Sequence, residues 1–445
     1  MKNILAALFA ILIILSLILS GCSLSDDARG PVETDTEASG TGNAETEERS
    51  GTEANSVTEV PAQTDANETE EPGRSGTYAP ETGEPAGTDN TSSESGLFTE
   101  RDLEQSADLD GAVYLEIRSG STVTVDCAGV YVLKGSAENA CVLVDAADDE
   151  KVQLVLNGVS IVNSGTACIL VENADKVFIT SAEDSVNELS VTGAFSADED
   201  AVIFSRDDLV LNGLGSVGIS SSGNGIRSGD DLKLTGGTWT VTASGSALKA
   251  HDSILACGGT WDIRAGSDGL HAEDSDDASL GSIVIEGGSF TVTAGDDGIH
   301  ATAAATVNGG TITVKAAEGI EATQVIINDG IIDITATDDG LNAGRKTNLL
   351  KVKIEINGGD ITIVMGQGDT DGIDSNGDLV ITGGRIDVTA QSPFDYDGTC
   401  THTGGTIIVN GTQTDSVTNQ MMGGMRGGQG GAGMNGSGGK RQGWG

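Results

Sequence analysis

Carboxylates recur through the C-terminal half of this chain at a spacing that suits metal binding. The phrases GSDGLHA (266–272), GDDGIHA (295–301), AEGIEA (317–322), DDGLNA (338–343) and DTDGIDS (369–375) each place an acid before a glycine and an aliphatic residue after it. Aligned on that glycine, the slot recurs at Gly225, Gly269, Gly298, Gly319, Gly340, Gly372 and Gly398, with Ala247 in the same place. Successive spacings are 22, 22, 29, 21, 21, 32 and 26 residues. Just before the slot the column reads Asn224, Ser246, Asp268, Asp297, Glu318, Asp339, Asp371, Asp397; two residues after it reads Arg227, Lys249, His271, His300, Glu321, Asn342, Asp374, Cys400.

If each phrase is one coil of a solenoid, like residues stack about 4.8 Å apart. Like charges so close destabilise a sheet and hold one carboxyl of a pair protonated. A divalent cation removes that cost, and calcium takes roughly six to eight oxygens from flexible carboxylates and backbone carbonyls. The predicted calcium ligands are Asp268, Asp296, Asp297, Glu318, Glu321, Asp338, Asp339, Asp371, Asp374 and Asp397. Each Asp-Gly is also an ordinary turn dipeptide, so the phrases are expected at turns. An EF-hand is excluded, because DTDGIDSNGD lacks the required placement of acids and glycine. His271 and His300 have no cysteine in register and are expected to be surface polar residues rather than zinc ligands. With Lys249 and Asn342 they form the predicted ligand-binding set.

The elements that would position these columns are strands. About ten residues before most slots stands a second phrase, GGTWTVTA, GGTWDIRA, GGSFTVTA or GGTITVKA, and DLKLT, SIVIE or KIEIN supplies a third. Two or three strands per unit of about 21–22 residues, with glycines at the corners, indicate an all-β fold, a parallel β-helix. Alternation puts Trp239, Trp261, Phe290, Ile312, Ile332, Ile361, Ile386 and Ile407 in one inward column and the neighbouring threonines outside. Fainter repeats from Ala112 to Asp208 extend the helix over residues 98–411. Cys141 and Cys168, in ACVLV and ACILV, are expected as stacked core residues, with a disulfide between them the alternative.

The flanks differ in kind. Residues 1–21 form a short basic start and an apolar run ending in Leu19-Ser20-Gly21-Cys22, which resembles a bacterial lipobox. It predicts lipidation of Cys22 and attachment to the outer face of a cell membrane through that lipid alone. Residues 22–97 hold 18 acids and three arginines between Asp26 and Glu94, with almost no apolar pattern, and read as a disordered tether. Residues 412–445 are rich in Gly and Met and read as a flexible tail. The 445-residue chain contains 65 Gly and 6 Pro and carries a net charge of −45, which excludes nucleic acid as a partner and favours cations. A monomer is expected.

GGTITVKAAEGIEA (309–322), TATDDGLNA (335–343), GDTDGIDSNGDLVITGGRIDVTA (368–390) and FDYDGTCTHTGGTIIVNG (394–411) resemble the clostridial carbohydrate-binding domain-containing lipoproteins. The resemblance implies a calcium-binding, right-handed parallel β-helix, similar in fold to polysaccharide lyases, that binds cellulose and acidic polysaccharides such as pectin. Asn224 and Ser246 depart from the acidic pattern, so their coils are expected to hold no metal.

Three functions stay open on the residues. One is a non-catalytic surface binder of polysaccharide. The second is a calcium-dependent pectate-type lyase with Lys249 as base, since that reaction needs a metal to acidify a uronate proton and a group to take it. The third is a structural adhesin or spacer. The columns place Lys249 three coils from the main acidic cluster, about 14 Å, which favours the binder.

Overall fold

A computed structural model describes residues 96–419, except 196–198, 275–276, 278–279 and 369. The lipobox with Cys22, nearly all of the acidic tether and the tail beyond Asn419 lie outside the described residues. Among the described residues, no helix is long and apolar enough to cross a membrane.

The described chain winds into a parallel β-helix with three strand ladders. In the coil around residue 240, Asp231–Leu234, Thr238–Ala243 and Leu248–Ala250 each pair with the equivalent strand of the next coil, Ser253–Ala256, Thr260–Ala265 and Leu270–Ala272. The same registers repeat from Val113–Glu116 to Thr406–Val409. Alternating apolar residues drive this arrangement, because period-two burial puts every second side chain inside. Trp239 and Trp261 are fully buried and stack at 5.3 Å, and Phe290 continues the stack 6.2 Å further on. Thr238, Thr240 and Thr242 on the same strand are exposed. Cys168 is buried and Cys141 half-buried, and both are free thiols, so no bond joins them.

Corners follow from glycine. The second glycine of each GG pair, from Gly237 (φ 85°) to Gly405 (φ 91°), adopts a left-handed conformation that side chains disfavour. The two long spacings arise from residues inserted between the acidic strand and the next ladder, after Ala272 and in the loop 344–352.

Residues 97–105 lie along the side of the helix as a strap with one helical turn, Glu100–Leu103, capped by Thr99, over the ladder that contains Lys176–Ser181, Asp208–Gly213 and Asp231–Leu234. Its Asp102 is fully buried between Lys233 at 3.1 Å and Lys176 at 3.7 Å. At the C-terminal end of the helix, Thr412–Thr414 folds back on Thr406–Val409 in an antiparallel pair.

Candidate functional site

The acidic phrases are not turns. Asp297, Glu318, Asp339 and Asp371 are the first residues of strands, and the glycines after them have no left-handed φ. Glycine is required there by close approach. A Cβ on Gly298 would lie 2.3 Å from Val314 Cγ1, and one on Gly372 2.3 Å from Val388 Cγ1. The acid before the glycine and the residue two after it therefore project side by side on one outer face of the helix.

Register sets the two columns. Arg227 pairs with Lys249, Lys249 with His271, His271 with His300, His300 with Glu321, Glu321 with Asn342 and Asn342 with Asp374. The predicted end of the ladder needs correction. Asp371 pairs with Ser392 and Asp374 with Asp395, so the last rung is Ser392-Pro393-Phe394-Asp395, not Asp397-Gly398-Thr399-Cys400. Asp397 sits exposed beyond that strand, and Cys400 pairs with Leu379 in a different ladder. Towards the N-terminus the column continues where no acidic phrase marked it: Arg227 pairs with Phe204, Phe204 with Leu170 and Leu170 with Leu143.

The column changes character along its length. At the cationic end, the Arg227 guanidinium contacts Asp200 at 3.0 Å and lies 5.4 Å from the Phe204 ring centre. Arg227, Lys249, His251 and Glu273 line a hollow of about 200 Å³. Lys249 forms no ion pair with any described residue, unlike its neighbours above and below.

The histidines, expected as surface polar residues, occupy the middle and are largely covered. Their rings stack 4.8 Å apart, nearly parallel. His271 Nδ1 lies 2.6 Å from Asp268 Oδ2, and His271 Nε2 3.1 Å from Glu273. His300 Nδ1 lies 2.6 Å from Asp297 and 2.9 Å from Glu321. Burial disfavours the imidazolium of His300, but hydrogen bonds to Asp297 and Glu321 prevail and raise its pKa to about 10. Burial works against ionised Glu321 as well, yet His300 and Lys346 hold its carboxyl well below the usual range. Lys346 comes from the inserted loop and pairs with Glu321, a partner that no repeat predicted.

Beyond Glu321 the column is acidic and poorly compensated. Burial and the neighbouring Glu321 push Glu318 up to about 8, although Asn342 donates to it at 2.9 Å. Burial and Asp374 push Asp339 up to about 7, and burial and Asp395 push Asp374 up to about 6. Asp371 belongs to the same group, its backbone N–H 3.3 Å from Asp339 Oδ1. Asp296 and Asp338 are exposed at the corners just ahead of the strands. The structure therefore brings Glu318, Asp339, Asp371 and Asp374 together with Asp395. Asp268, Asp297 and Glu321 are instead paired with histidine or lysine.

The family described as carbohydrate-binding domain-containing protein matches residues 119–371, more than half of the chain and all of the column from Leu143 to Asn342. A protein of Acetivibrio thermocellus described in the same words is 33% identical over 126 residues, which are 27% of this chain and 44% of the relative. The chain thus aligns with less than half of that relative's length. Among solved structures, a polysaccharide lyase-like protein from C. thermocellum, determined as a gadolinium derivative, is 29% identical and aligns over 49% of this chain and 96% of its own with a TM-score of 0.44.

Proposed function

The chain belongs to the carbohydrate-binding domain-containing protein family, and from that membership we propose that it binds acidic polysaccharide at a bacterial cell surface, without cleaving it, along a calcium-supported face. The observation that carries this reading is the graded column. An anionic glycan laid along the helix would meet Arg227 and Lys249 at one end and, at the other, carboxylates that need a cation before they can all ionise.

Calcium suits that acidic end. Glu318, Asp339, Asp371 and Asp374 are hard oxygen donors on adjacent rungs, and a divalent ion among them would lower the ionisation cost that burial imposes. Such an ion supplies charge neutralisation, and a uronate carboxylate can complete its shell. Asp268, Asp297 and Glu321 already have histidine or lysine partners and are weaker candidates.

The separation of cation and acids supports binding over elimination. A lyase base works within hydrogen-bond reach of the proton that the metal acidifies. Three register steps lie between Lys249 and Glu321, about 14 Å at one strand spacing per step. In this reading the lipid on Cys22 anchors the chain, and the acidic segment up to residue 97 holds the helix away from the membrane.

Retention of the full chain on insoluble polygalacturonate, in millimolar calcium and then in excess EDTA, tests the proposal, with absorbance of unsaturated uronide recorded in parallel. Retention in calcium that is lost in EDTA, without absorbance change, is expected. Equal passage through the column in both conditions would contradict it, and a steady absorbance rise would put the lyase first.

A further inference from the structure

A second set of carboxylates stacks at the corner that follows the acidic ladder. Two residues after each of the paired strands Ala201–Ser205, Asn224–Ser228, Leu248–Ala250 and Leu270–Ala272 stands an aspartate: Asp207, Asp230, Asp252 and Asp274. In the last two of these coils a histidine joins them. His251 Nδ1 lies 3.2 Å from Asp252 Oδ1 and 3.5 Å from Asp274 Oδ2. The three donor atoms all lie within 4.8 Å of one another.

We propose that His251, Asp252 and Asp274 bind one divalent transition-metal ion, of the class that zinc represents. Spacing separates this set from an ordinary histidine–carboxylate pair. His271 and His300 are hydrogen-bonded to Asp268 and Asp297 at 2.6 Å, whereas His251 stands further off and faces two carboxylates at once. Two donors held tetrahedrally at roughly 2.0–2.1 Å from one ion lie about 3.3–3.4 Å apart, between the two distances that His251 makes. Donor type selects the ion. A ring nitrogen with two carboxylate oxygens suits zinc and its first-row neighbours, whereas calcium takes oxygens alone. Asp274 is buried, and its other oxygen accepts the Asp277 N–H at 2.7 Å, which leaves Oδ2 turned towards His251. His251 is exposed and Asp252 half-buried, so the ion enters from solvent and keeps a fourth position for water. Bound there, it ties two successive coils together at the corner. The site shares no residue with the calcium set and does not depend on polysaccharide binding.

Cobalt(II) substitutes for zinc and reports its own coordination through its visible ligand-field spectrum. Untagged full chain is stripped with EDTA, returned to millimolar calcium to fill oxygen-only sites, and titrated with cobalt and then zinc. A four-coordinate band that saturates at a single equivalent of cobalt and is displaced by zinc is expected. His251→Ala and Asp274→Asn should each weaken cobalt binding at least tenfold; the exposed His251 side chain guards against misfolding of the buried Asp274 variant. His300→Ala, and Glu318→Gln with Asp339→Asn, should leave it within twofold. A wild type without a saturable band would overturn the proposal. So would a band of unchanged affinity in His251→Ala, or one lost in His300→Ala instead.

Discussion

In the absence of calcium, the melting temperature should fall as pH rises from 5 to 8, and calcium should remove most of that fall. Burial holds Glu318 at about 8 against an ordinary 4.5, Asp339 at about 7 against 3.8 and Asp374 at about 6 against 3.8. Between the unfolded and folded values the native state keeps protons that the unfolded state has released, so stability decreases with pH and levels off only above about 8. His300, raised to about 10 from 6.5, adds a term of the same sign: its stabilisation is complete below 6.5 and drains away as pH climbs towards 10. Taken in isolation the Glu318 shift corresponds to about 5 kcal/mol, and because all three carboxyls are only half-buried, solvent screening reduces each contribution to roughly 1–2 kcal/mol. Their sum would move the melting temperature by on the order of 10 °C. Calcium at a hundredfold excess over its Kd adds about 2.7 kcal/mol where it binds only the native state. Thermal melts followed by fluorescence of the buried Trp239 and Trp261, at pH 5 and 8 with EDTA or calcium, supply the assay. Glu318→Gln with Asp339→Asn should flatten both the pH slope and the calcium shift. A melting temperature that holds or rises between pH 5 and 8 in EDTA, or a calcium shift untouched by the double substitution, would refute the reasoning.

Three further outcomes are expected. Trp261→Ala, by opening the stack between Trp239 and Phe290, should cost about 3–5 kcal/mol in denaturant unfolding. Asp102→Ala leaves Lys233 buried without its carboxylate, and its loss of stability should be of similar size, about 3–5 kcal/mol, measured the same way. Cys22→Ser should shift the chain from the membrane fraction to the soluble fraction, or leave an unprocessed precursor, with the melting temperature of the folded domain unchanged.

The repeating parts of the molecule were the legible parts. The inward column from Trp239 to Ile407 and the polar columns from Asn224 to Asp374 follow from strand alternation and the recurrence of one glycine. What that glycine does was hidden, because Asp-Gly reads as a turn when its real role is to let a neighbouring valine or isoleucine approach. The last rung was misread for the same reason. At Pro393 this ladder makes its last pairing and a hollow of about 260 Å³ opens between Pro393, Phe394 and Val409, so a ring fits where earlier coils admit only hydrogen. Asp397-Gly398 then offered a false continuation of the pattern. Lys346 could not be foreseen as the partner of Glu321, because it comes from an insertion without counterpart in other coils. The Leu143, Leu170 and Phe204 rungs lay in coils that carry no acidic phrase, and only strand register connects them to the rest of the column.

Affinity of a labelled oligogalacturonate for the full chain, measured by fluorescence anisotropy in calcium, tests the graded column most directly. Arg227→Ala with Lys249→Ala should weaken binding at least tenfold, whereas Lys315→Ala, on an exposed position of another ladder, should leave it within twofold. Equal affinities for the wild type and the double variant would contradict the account.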